Sequence, residues 1–116
     1  MMRNRFAPHI DFAEFEGLLG SILPSNLDMI VERHGYFLIA EWKHPKERVS
    51  KGQEILLKSL ARMKNFTVIV ISGDSAETMM VHKFWKIQKD GSLTLIGTSL
   101  HELKEFLIDW LYYINQ

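Results

Sequence analysis

The chain has 116 residues, 14 basic against 14 acidic, and no cysteine. This length suits one domain with a modest core. Without cysteine there are no disulfides and no thiolate zinc sites, which fits a reducing, intracellular, cytoplasmic setting. Zero net charge excludes a general DNA coater, which is strongly basic. No apolar run is long enough to span a bilayer, so no membrane partner is expected. The basic N-terminal stretch MMRNRFAPHIDF lacks the long apolar core of a signal peptide.

In chain order, residues 11–23 are expected to form a helix, with Asp11 as N-cap and Phe12, Phe15, Leu19 and Ile22 as one apolar stripe. Pro24-Ser25-Asn26 breaks it. Residues 27–33 and 36–43 read as the strands of a hairpin with His34-Gly35 as its turn. Both faces of this pair are apolar, which predicts central strands covered on both sides. Residues 44–49 form a polar loop. A second helix is expected over about 51–64, where Ser50 and Gln53 make a capping box and Leu56, Leu57, Leu60 and Ala61 form the buried stripe. Residues 66–72 read as a buried strand, parallel to a neighbour because a helix precedes it. A second hairpin, 81–88 and 92–97, turns at Asp90-Gly91. The last helix, about 100–114, opens with Ser99 and Glu102 as a capping box. The order α-β-β-α-β-β-β-α gives an α/β domain with a mixed sheet, spanning 1–116 as one unit.

The chemistry lies in the first hairpin. With His34-Gly35 as the turn, Arg33 faces Tyr36, Val31 faces Leu38 and Asp28 faces Glu41. Opposed side chains in a hairpin stand about 4.5–5.5 Å apart at Cβ, where like charges repel. Two carboxylates so placed need a cation between them or a proton on one. Lys43, two residues beyond Glu41, projects from the same face. Carboxylate, main-chain and water oxygens are hard ligands that suit Mg²⁺ or Mn²⁺. Such an ion activates a phosphodiester and a water, and Lys43 would orient that water and stabilise charge on the phosphate. The competing reading is a structural Asp28–Lys43 ion pair, which leaves Glu41 unmatched.

The run NLDMIVERHGYFLIAEWK followed by VSKGQEILLKSL resembles the PD-(D/E)XK nuclease superfamily, over about residues 12–72. It is most similar to the small virus-type replication-repair nucleases and the Holliday-junction resolvases of that group. The resemblance implies a restriction-endonuclease-like core, a mixed β-sheet flanked by helices, and divalent-metal-dependent hydrolysis of DNA. It assigns Asp28 and Glu41 to the metal, with the main-chain carbonyl of Trp42, and Lys43 to the attacking water. It also implies a Glu on the first helix. Geometry alone leaves Glu14 and Glu16 open, and the resolvase pattern of Phe15-Glu16, Leu19 and Leu23 favours Glu16. Gln53 matches a family glutamine near the substrate phosphate, although the capping box alone explains it. The chain departs from the family in having little room for a strand before Asp28, and in carrying Asn26-Leu27-Asp28 where the family has Pro-Asp.

His44, Lys46, Arg48 and Lys51 cluster on the loop beyond the site, and with Arg3, Arg5 and Arg33 are candidates for phosphate contact. Lys83, Lys86 and Lys89 alternate with Phe84 and Trp85, as a DNA-contacting wing or a solvated strand face. Trp110, Tyr112 and Tyr113 are core residues or part of a dimer contact. Two other readings stand beside a general nuclease. One is a dimeric junction resolvase, which needs two subunits across a two-fold axis. The other is a non-catalytic nucleic-acid or protein binding module. A targeting protein partner also suits so small and neutral a domain.

Overall fold

The computed structural model describes residues 12–21, 24–74 and 79–116. Five strands form one mixed sheet in sequence order: β1 (Met29–Arg33), β2 (Tyr36–Lys43), β3 (Phe66–Asp74), β4 (Met80–Ile87) and β5 (Leu93–Gly97). β1–β2, β3–β4 and β4–β5 are antiparallel, while β2 and β3 run parallel. A parallel pair needs a crossover, and helix α1 (Lys51–Ala61) supplies it. Helix α2 (Leu100–Ile114) follows β5.

Strand alternation divides the core into two layers. Ile39, Val68 and Ile87 pack under Leu57 and Ala61 of α1. Leu38, Ala40, Ile69, Ile71 and Phe84 face the other way, with Leu103 of α2. The polar side of α1 stays in solvent, where Glu54 and Lys58 pair at 2.8 Å.

The turns follow the expected chemistry. His34 (φ 55°) and Gly35 (φ 81°) are both left-handed, as a two-residue type I′ turn requires. At the second hairpin Asp90 Oδ1 accepts from both the amide and the hydroxyl of Ser92. Ser99 Oγ accepts the Glu102 amide at 3.1 Å, and Glu102 Oε1 accepts in return from the Thr98 amide, so the expected cap of α2 forms.

Three expectations change. The helix over 11–23 is absent among the described residues: Phe12–Phe15 form a single 3-10 turn. Gly17 (φ 84°) and Gly20 (φ 69°) then take left-handed backbone and bridge to each other, a conformation that glycine adopts without steric cost and that stops a helix. Asp11, Ile22 and Leu23 lie outside the described residues. Second, β1 is an edge strand, not a covered one, and Ile30 stays 55% exposed. The other edge, β5, likewise exposes Leu93 and Leu95. Third, α1 ends at Ala61 rather than 64.

Leu57 is 1% exposed and anchors α1 to the sheet. Leu57→Ala should lower unfolding free energy by about 3 kcal/mol, read from denaturant melts. A loss below about 1 kcal/mol would mean that this contact does not fix the helix.

Candidate functional site

The site forms where β2 ends beneath the first turns of α1. The hairpin register runs from Arg33↔Tyr36 to Met29↔Ala40, the pairing the turn demands. Asp28 stands one residue before β1, across from the end of β2. Its Oδ2 accepts the backbone amide of Trp42 at 2.7 Å, which fixes the carboxylate against the strand. Glu41 points to the α1 side and is 4% exposed, the one buried charged residue among those described.

Three groups surround the Glu41 carboxylate. Lys43 Nζ lies 3.4 Å from Oε1. Gln53, from the first turns of α1, donates its side-chain amide to the same oxygen. Asp28 acts on it by charge. Oε2 is buried and has no hydrogen-bond partner among the described residues. Burial is the main cause that raises the Glu41 pKa above the ordinary 4.5, and the Asp28 charge adds to it. The Lys43 ammonium and the Gln53 amide oppose the shift without cancelling it. The structural Asp28–Lys43 ion pair is therefore replaced: Lys43 serves Glu41, and Asp28 serves a main-chain amide.

Gln53 has two separate roles for its two nitrogens. Its backbone amide is capped by Ser50 Oγ at 3.2 Å. Its side chain, which a capping box would turn back to the Ser50 amide, crosses instead to Glu41. Only the Ser50 half of the expected capping box therefore forms, and the Gln53 side chain is engaged by Glu41.

Other expected residues fall elsewhere. Glu16 is exposed on the turn after Phe15, without the helix meant to carry it, and among the described residues the charges that act on Glu41 are Asp28 and Lys43. Glu16 does not join the site here. Arg33 lies at the hairpin turn, the far end of β2 from Lys43. At about 3.3 Å per residue, that end is roughly 20 Å away. Arg3 and Arg5 are outside the described residues. His44, Lys46, Arg48 and Lys51 are all exposed along the path from β2 into α1. His44 Nδ1 accepts the Lys46 amide at 3.2 Å, so this imidazole shapes the turn. Lys89 is not part of a wing: its Nζ donates to the carbonyls of Met63 (2.6 Å) and Phe66 (3.0 Å), clamping the second hairpin to the loop after α1.

The sheet adds one residue that was not foreseen, Ser72, and sets Lys83 beside it. Lys43 is paired with Ser72 on β3, and Ser72 with Lys83 on β4. Opposed residues share a face, so Lys43, Ser72 and Lys83 form one polar row on the α1 side. Their alternation was legible, but the pairing of strands so distant in sequence was not.

Among the described residues no group of three or more His, Asp or Glu side chains converges. The donor set is two carboxylates with main-chain oxygens. A hard divalent cation fits it, because Glu41 Oε2 is buried without a partner and two carboxylates of like charge lie together. In comparisons with known proteins, the chain matches no family model, no curated protein and no solved structure. None of the helices is long and apolar enough to cross a membrane among the described residues.

The raised pKa has a definite sign in stability. Well below pH 4.5 Glu41 is protonated whether folded or not, and its contribution is complete. That contribution is lost as pH rises through the higher folded value, because the unfolded chain releases the proton first. In EDTA, Glu41→Gln should therefore melt higher than wild type at pH 7, and the gain should vanish as pH falls well below 4.5. Equal melting temperatures at pH 7 would show that the carboxylate carries no net cost.

Proposed function

We propose that the protein is a divalent-metal-dependent nuclease that hydrolyses phosphodiester bonds in DNA. The observation that carries this reading is Glu41: a buried carboxylate with one oxygen that has no partner among the described residues, beside Asp28 and Lys43. A purely structural carboxylate would be paired on both oxygens, because an unpaired buried charge is costly.

In this reading Asp28 and Glu41 hold Mg²⁺ or Mn²⁺ with the main-chain carbonyl of Trp42, and the ion supplies Lewis acidity toward the phosphodiester and a water. The protein does the rest by position. The Trp42 amide holds Asp28, and Gln53 holds Glu41, so neither carboxylate must reorganise. Lys43 meets Glu41 Oε1, and with its side chain 17% exposed its ammonium would orient water and meet charge on phosphate oxygen. Water attacks phosphorus, the P–O ester bond breaks, and the products are a phosphomonoester and an alcohol. His44, Lys46, Arg48 and Lys51, all exposed between β2 and the start of α1, would meet the phosphate backbone. Glu16 has no part in this arrangement.

The test is cleavage of labelled single-stranded, duplex, flap and four-way-junction DNA with Mg²⁺, Mn²⁺ or EDTA. Metal-dependent cutting is expected, and Lys43→Ala and Asp28→Ala should each reduce it by roughly 10²-fold or more while the fold survives. Full activity in either variant, or in EDTA, would overturn the reading.

A separate binding test reads the metal without catalysis. Mg²⁺ at about 100 times its dissociation constant should stabilise the wild type by about 2.7 kcal/mol. Asp28→Ala should abolish that increment in the same thermal melts.

A further inference from the structure

On the α1 side of the sheet, an apolar cleft of about 460 Å³ lies between α1 and strands β3 to β5. Its lining includes Val49, Leu57, Val70, Trp85, Ile87 and Leu93. Lys58 and Glu54 also line it. The Lys58 stem lies along Gly91, where an added Cβ would stand 3.6 Å from it. The cleft opens to solvent along Leu93, which is 59% exposed, and Trp85 is only partly buried.

Sheet register places this cleft with respect to the site. Glu41 pairs with Val70, and Val70 with Trp85. Two residues along the same strands runs the row Lys43, Ser72, Lys83. The two rows share a face and are about 7 Å apart. One row is polar with two ammonium groups, and the other ends on an indole in an apolar cavity of small-ligand size. A nucleotide has the same two halves: an anionic phosphate and, one sugar away, a flat apolar base.

We propose that β4 extends the site with a nucleotide subsite, in which an unpaired base enters the cleft against Trp85 while its phosphate lies along Lys43, Ser72 and Lys83. The class of ligand rests on the nuclease reading. A base inside a duplex is stacked and paired and does not enter such a cleft; an unpaired one stacks on aromatic side chains irrespective of its identity. The subsite therefore selects a single strand, or a duplex with an unpaired nucleotide, over an intact duplex.

The test is binding rather than cleavage. Fluorescence anisotropy is read in EDTA with a labelled oligothymidylate of about 12 nucleotides and a duplex of the same length. Wild type should prefer the single strand. Trp85→Leu should weaken single-strand binding about tenfold and leave duplex binding unchanged, while Trp85→Tyr restores it. Lys83→Gln, at an exposed position, should weaken both strands and lower the salt slope by about one. Unchanged single-strand binding in Trp85→Leu, an equal loss on duplex, or no preference in wild type would each overturn the subsite. Should Trp85→Leu not fold, an unchanged salt slope in Lys83→Gln overturns it alone. Absence of metal-dependent cutting with Trp85-dependent binding would sink the nuclease and keep the subsite; cutting without Trp85 dependence would do the reverse.

Discussion

A carboxylate held out of water at the junction of β2 and α1 governs the arrangement of everything near it. Glu41 is 4% exposed, and desolvation is the largest influence on its ionisation. A buried charge persists only where its surroundings compensate it. Gln53 and Lys43 do so at one oxygen, and the other has no partner among the described residues. Two well-packed layers elsewhere, around Leu57 and around Phe84, keep the domain folded with this unfavourable group in place. Stability sacrificed at one residue is the usual mark of a position kept for something other than stability.

The crossover helix links that residue to the fold. α1 joins two parallel strands, buries Leu57 and Ala61, and in its first turn carries the glutamine that reaches Glu41. Docking the helix and fixing the carboxylate are thus one event. Ser50 contributes by capping the Gln53 backbone, which frees the Gln53 side chain from that duty.

Much of this was legible in the sequence, because it is local. His34-Gly35 determined the first hairpin's register, and through it the approach of Asp28 to Glu41. Ser50 and Ser99 marked the starts of both helices. Asp28's final partner was not legible, because the Trp42 amide is available only where β1 stops pairing. The failed helix at the N-terminal end has a simple origin: its apolar periodicity was real, but two glycines in left-handed backbone outweighed it, and Phe15 and Leu19 remain exposed. The row of Lys43, Ser72 and Lys83 depends on long-range strand pairing, about which side-chain periodicity is silent.

The two exposed sheet edges have a bearing on how the molecule behaves in company. Among the described residues β1 and β5 both end the sheet, with Ile30, Val31, Leu93 and Leu95 exposed. Such edges are templates for further strands. β1 carries Glu32 and Arg33, charges that oppose the approach of another chain, whereas β5, Leu-Thr-Leu-Ile-Gly, has none. In concentrated solution β5 is the side from which filaments would grow, and a single lysine on its outer face would act as a gatekeeper far from the carboxylates.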